Sequence, residues 1–228
     1  MTEKDLKQLN YLGANDRFSF GCTCCGTCCR RRDDIILTAY DLWHIAGYLQ
    51  KSIEEIIKEY CEIYIGNTSR LPIVRIKPRG TQNICPFLIR NKCVIHAVKP
   101  EICAIFPLGR IQMEGSKEIR YFLQDIRCGK KDKTYTLETW LERSGITKDS
   151  QECSRNWKKM LHALFYVAKI IEDFSDTARE ACYDGIFASM YLGYDTNEPF
   201  LPQIRERHKN MAELSNNLCK MDALRKKS

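Results

Sequence analysis

The chain has 228 residues, 44% of them hydrophobic and 29% charged, with a formal net charge of +7. That is enough chain to bury a core without covalent staples, so its thirteen cysteines are not those of a small disulfide scaffold. No stretch approaches the roughly 18 apolar residues of a membrane span, and the longest apolar run, 161–171, is broken by His162 and Lys169.

The polar start, MTEKDLKQLN, lacks the apolar core of a secretory signal. A cytoplasmic location is expected, where clustered cysteines point to metal or redox chemistry rather than disulfides. The basic residues are spread out and form no nucleic-acid motif, so the excess charge reads as a solvated surface with a basic tail. Neither nucleic acid nor membrane is an expected partner, and a protein partner stays open.

Residues 3–10 read as a short helix. The stretch FGCTCCGTCCR follows at 20–30, with Cys22, Cys24, Cys25, Cys28 and Cys29 inside eight residues. Packing does not call for adjacent thiols, and Gly26 weakens any helix there; a short loop curling its sulfurs toward one point fits better. Thr38 and Asp41 predict a capped helix carrying Leu42, Ile45, Ala46 and Leu49, and Ser52 and Glu55 predict a second one turning Ile53, Ile56, Ile57 and Tyr60 inward. Cys61, at its end, reads as a packed thiol. Residues 71–77 read as a strand and 78–80 as a turn. Residues 84–89 and 93–95 read as short strands around Arg90-Asn91-Lys92, and Pro100 opens a short helix that Pro107 ends. A hairpin is expected over 109–113 and 118–124, turning at 114–116. Beyond Thr136 the pattern is helical, with helices near 136, over 149–173, 177–191 and 201–224. The expected fold is therefore mainly α with small β-hairpin elements (α+β) around a cysteine-ligated metal centre. A division into 1–147, the cysteine-cluster domain, and 148–228, a helical region packing on it, follows from where the cysteines thin out.

Cys22, Cys25 and Cys28 form C-x-x-C-x-x-C, a spacing that lets a tight turn aim its sulfurs at one metal. The second half of a site is supplied by Cys85, Cys93 and Cys103, with Cys128 further on, each at a strand end, turn or short helix. Cys29 is open: an adjacent cysteine strains a single mononuclear ion, and a different metal or a different iron is the alternative. Cys24 reads as a bystander. His96 reads as a packed or hydrogen-bonded side chain in preference to a ligand. Cys153, Cys182 and Cys219, isolated in helical segments, read as structural. Arg30, Arg31 and Arg32 could offset the charge of about −2 that four thiolates leave on a divalent ion.

FGCTCCGTCCR, IILTAYDLWHIA, ICPFL, CVIHAVKPEICAIFPLGR and RCG together, over about residues 18–143, resemble the YkgJ-type cysteine-cluster family, described as zinc- or iron-chelating. The resemblance implies metal ligation by Cys22, Cys25, Cys28, Cys29, Cys85, Cys93 and Cys103, with Cys128 as an eighth ligand. The chain departs from the family where an Arg-Pro pair and a Cys-Arg pair are usual; here stand Lys99-Pro100 and Cys103-Ala104. A tyrosine is usual at His96. Tetrahedral sulfur sites suit zinc and iron–sulfur clusters alike. The spread of cysteines over three elements, and the apolar neighbours Phe18, Phe20, Phe87, Phe106 and Leu108, favour a 4Fe–4S cluster over zinc. Three function classes follow: a redox or cluster-dependent enzyme (oxidoreductase or methyltransferase), a structural zinc module serving a partner, and metal storage or delivery. A lysine methylase of flagellin carries a similar module, so S-adenosylmethionine use is compatible with the resemblance, although the chain has neither a radical-SAM C-x-x-x-C-x-x-C motif nor a G-x-G-x-x-G loop.

Overall fold

A computed structural model describes residues 9–111, 118–126 and 128–225. In chain order its elements are β1 (Tyr11–Leu12), β2 (Arg17–Gly21), β3 (Ile36–Leu37), α1 (Ala39–Leu49), α2 (Ile53–Tyr60), β4 (Cys61–Ile65) and β5 (Pro72–Ile76). There follow β6 (Leu88–Ile89), β7 (Lys92–Cys93), α3 (Glu101–Ala104), β8 (Leu108–Ile111), β9 (Arg120–Leu123) and β10 (Lys130–Thr136). The chain closes with α4 (Leu137–Arg143), α5 (Lys148–Ile171), α6 (Asp176–Tyr191) and α7 (Phe200–Arg225). The architecture is α+β, with every sheet small and antiparallel. Most of the expected helix at 3–10 and the expected turn at 114–116 lie outside the described residues.

The residues cluster into two compact units. The first takes the chain up to Arg32 together with Gly80–Thr147, and the second takes Asp33–Arg79 together with Lys148 onward. The linear division at 147 suggested by cysteine density differs from this: 33–79 groups with the C-terminal helices.

In the first unit β2 and β10 form a ribbon with Phe18 opposite Tyr135 and Gly21 opposite Lys130. Strand alternation turns Phe18 and Phe20 to one face, where they pack with Ile105, Leu108, Tyr121, Leu137, Trp140 and Ile146. Trp140 is the centre of that core. Its ring meets Phe18 and Phe20 edge-on at 5.6 and 5.8 Å, and its indole N–H donates to the Ile105 carbonyl at 2.9 Å. Thr136 caps α4, accepting from the Thr139 N–H at 3.2 Å. Glu101 on α3 is ion-paired to Arg110 on β8, which anchors the helix that carries Cys103.

In the second unit β3, β5 and β4 form a sheet in that order. Both predicted capping boxes are present. The Asp41 carboxylate accepts from the Thr38 N–H at 2.8 Å, and the Glu55 carboxylate accepts from the Ser52 N–H at 2.8 Å. Ile53, Ile56 and Ile57 are buried as their spacing requires, and so is the Cys61 thiol. Tyr191 of α6 is fully buried; its hydroxyl donates to the Pro72 carbonyl and accepts from the Val74 N–H, both at 3.4 Å. Ser215 of α7 donates to the Ala163 carbonyl of α5 at 2.7 Å.

Candidate metal centre

The cysteine loop begins where β2 ends. Gly26 is the pivot. Its φ of +73° suits a residue without a Cβ, and a Cβ there would lie 3.1 Å from Leu88 Cδ1. The chain then closes one short 3-10 turn, Thr27–Cys29, with the Cys29 N–H donating to the Gly26 carbonyl at 3.1 Å. That turn breaks the regular C-x-x-C-x-x-C spacing into two parts that leave in different directions.

The second part, Cys28 and Cys29, is bound to the hairpin. The Cys85 N–H donates to the Cys29 carbonyl at 2.9 Å, and the Arg31 N–H donates to the Gln82 carbonyl at 3.0 Å. The Leu88 N–H donates to the Cys85 carbonyl at 3.0 Å, and Leu88 pairs with Cys93 across β6 and β7. The turn between those strands uses Arg90 and Asn91, both at positive φ, and the Arg30 guanidinium reaches the Asn91 side-chain oxygen at 2.5 Å. This turn spans two residues, and β6 is shorter than the strand expected over 84–89.

These bonds bring four half-buried thiols together: Cys28, Cys29, Cys85 and Cys93. Cys29 is their hub. Its sulfur lies 3.9 Å from that of Cys28, and the Cys85 and Cys93 thiols beside it add to the upward shift of its pKa. Sharing the Cys29 proton pulls Cys28 down to about 6 and Cys93 to about 7, with the Lys99 charge adding to both, and holds Cys29 far above the ordinary thiol range.

The first part of the loop meets a different partner. Opposing Gly21 and Lys130 in the ribbon sets Cys22, one residue after Gly21, near Cys128, two before Lys130. Between them Gly129 has a φ of +82°, and a Cβ there would lie 2.3 Å from the Phe20 ring. The Cys25 sulfur lies 3.1 Å from Thr27 Oγ1, a hydrogen bond that lowers its pKa, and the Cys128 thiol adds a little to that lowering. Burial pushes Cys128 up to about 11, with the charges of Cys25, Cys28 and Cys22 adding to it. Cys22 and Cys25 are exposed. Cys24, also exposed and at a φ of +53°, donates its N–H to the Cys22 sulfur at 3.4 Å.

Seven of the eight expected ligand cysteines thus fall into two groups. The eighth, Cys103, is half-buried on α3, its N–H donating to the Pro100 carbonyl at 2.8 Å. His96 is exposed on the turn before α3, and the Lys99 charge lowers its pKa. Among the described residues, no group of three or more His, Cys, Asp or Glu side chains is placed so that it could hold a metal ion. The donor set nonetheless suits a soft ion, being all sulfur, with Lys99 and Arg32 supplying positive charge beside Cys28. Lys99 and Thr27 are the site residues that motif reading missed.

A family model for CxxCxxCC, described as a "Putative zinc- or iron-chelating domain", matches residues 21–154, more than half of the chain. Uncharacterized protein MJ0661 of Methanocaldococcus jannaschii is 31% identical over 129 residues, which cover 56% of this chain and 64% of that protein. The chain therefore spans a little under two thirds of the relative it matches. No solved structure matches. The matched segment takes in both cysteine groups, β10 and the hairpin, and the chain belongs to the CxxCxxCC family of zinc- or iron-chelating domains.

Proposed function

We propose that the protein is a chelator whose resident ion is a single zinc or iron ion held by Cys28, Cys29, Cys85 and Cys93. The observation that carries this reading is the separation of 3.9 Å between the Cys28 and Cys29 sulfurs. Two thiolates at about 2.3 Å from one tetrahedral ion stand about 3.8 Å apart. In a 4Fe–4S cluster each cysteine takes its own iron, so ligand sulfurs are spread wider than this. The spacing supports one ion over a 4Fe–4S cluster, and it gives no support to redox or S-adenosylmethionine chemistry. Four protein sulfurs around one ion make a closed site, the arrangement of structural zinc.

Cobalt(II) titration of the anaerobically purified chain tests the reading. A tightly bound equivalent with intense tetrahedral ligand-field bands and sulfur-to-cobalt charge transfer is expected, and their absence would overturn it. Lys99 bears on the same measurement. A thiolate-only site on a divalent ion carries a formal charge of about −2, which a nearby ammonium stabilises. Lys99→Gln is expected to weaken cobalt and zinc binding about tenfold, on the order of 1 kcal/mol for a half-exposed charge. Lys99→Arg is expected to restore most of it.

A further inference from the structure

The sheet of the second unit ends on a strand, β4 (Cys61–Ile65), whose outer side meets no other strand among the described residues. We propose that β4 is a self-association edge: two copies of this chain pair their β4 strands antiparallel, about a two-fold axis at Tyr64, and join their three-stranded sheets into one.

The backbone fixes what the edge accepts. At the two ends of the β4–β5 ladder the Lys77 N–H donates to the Tyr60 carbonyl at 2.9 Å, and the Gly66 N–H donates to the Leu71 carbonyl at 3.0 Å. Hydrogen-bonding direction alternates along an antiparallel strand, so Glu62 and Tyr64 face β5 while Ile63 and Ile65 turn their N–H and C=O groups outward. A row of alternating donors and acceptors is matched by another extended strand. Ile63, Tyr64 and Ile65 are also 47%, 37% and 37% exposed, in a strand of β-branched and aromatic residues. Solvent-facing edges ordinarily carry lysines, proline or a bulge that discourages pairing. β10 has two of these devices: KKDKTYT is charged, and its register with β2 shifts between Lys130 and Thr134. In β4, CEIYI runs in unbroken register with β5, and its one charge, Glu62, is taken up by Arg75 at 2.6 Å.

That neutral edge does not repel its own copy, and β5 already holds it extended, so pairing costs little ordering entropy. With the axis at Tyr64, Ile63 lies opposite Ile65 of the second copy, each pair exchanging N–H···O=C bonds in both directions, and Tyr64 lies opposite its counterpart. Strand alternation puts Ile63 and Ile65 of both copies on one face, where they cover one another. An axis at Ile63 would set Ile65 against Cys61 instead, whose N–H already donates to the Ile57 carbonyl. The outer strand left at each end, β3, is Ile36–Leu37 alone, so the assembly closes as a dimer and does not grow into a filament.

Sedimentation velocity of the full-length protein over a concentration series tests this, under anaerobic conditions with a thiol reductant so that no intermolecular disulfide forms. A reversible monomer–dimer equilibrium is expected. Ile63→Lys/Ile65→Lys sets like charges opposite one another and is expected to raise the dimer dissociation constant about a hundredfold. Both side chains are exposed, so its circular dichroism should match the wild type. Ile63→Lys/Ile65→Glu sets opposite charges in every cross-strand pair of this register and is expected to restore most of the dimer. Ile63→Pro removes an outward N–H without touching the bonds to β5 and is expected to weaken the dimer about tenfold. A wild type that stays monomeric at every concentration overturns the proposal, including the case in which the edge takes only a strand of another protein. A dimer that survives Ile63→Lys/Ile65→Lys forms elsewhere and overturns it too. Failure of Ile63→Lys/Ile65→Glu to recover overturns the register with Tyr64 on the axis. β4 belongs to the second unit and the proposed ligand cysteines to the first, so none of these outcomes depends on the metal reading.

Discussion

Replacing Cys29 with serine is expected to strip the tightly held ion from the protein. The other inner thiols meet at the Cys29 sulfur, so its loss removes both a ligand and the hub that gathers Cys28, Cys85 and Cys93. A serine hydroxyl is a harder, more basic donor and does not replace a thiolate on a soft ion. Binding of structural zinc is worth about 10–16 kcal/mol in small domains near neutral pH, and that free energy is also folding free energy. The substitution leaves the backbone bond from the Cys85 N–H to the Cys29 carbonyl available, so the effect is on the ion first and on stability through it. Elemental analysis should show the tight equivalent gone, and urea denaturation should show a lower midpoint. Cys61→Ser is the control. That thiol is buried in the second unit, so the same elemental analysis should find full metal content despite any packing loss.

Trp140→Ala is expected to be the most damaging change away from the sulfurs. Trp140 is buried, packs edge-on against Phe18 and Phe20, and donates to the Ile105 carbonyl. Truncating a buried tryptophan costs about 3–5 kcal/mol, a large part of the 5–15 kcal/mol that typically separates folded from unfolded domains. Phe18 and Phe20 lie on the strand that leads into the cysteine loop carrying Cys28 and Cys29, so metal content should fall with stability. Trp140→Phe keeps an aromatic ring and loses only the indole bond to the Ile105 carbonyl, which still accepts from the Leu108 N–H at 2.9 Å, at a cost of about 1 kcal/mol. Urea melts of the two variants should rank them in that order.

What could be read from the sequence was local. Thr38 with Asp41 and Ser52 with Glu55 mark helix starts because a capping box is made within four residues. The β2–β10 ribbon could not be read that way. KKDKTYT is charged and almost wholly exposed, with no alternating apolar face, and its extended form comes from pairing with RFSFG more than a hundred residues earlier. β4 was hidden for a related reason: Cys61 ends α2 and begins the strand at once, with no turn residue between them. The site divides likewise. The cysteines of the first motif announced a metal, but their even spacing suggested one convergent loop. Gly26 and the turn after it send Cys28 and Cys29 toward the hairpin, while the ribbon register sends Cys22 toward Cys128. Those partners lie about 60 to 105 residues downstream, and only pairing across the fold identifies which goes with which.

The central claim is one soft ion on Cys28, Cys29, Cys85 and Cys93, and it is tested most directly by measuring metal and acid-labile sulfide together on anaerobically purified protein. Zinc or iron without inorganic sulfide, lost on Cys29→Ser, is the predicted result. Iron accompanied by an equal amount of acid-labile sulfide would contradict it and restore the 4Fe–4S cluster.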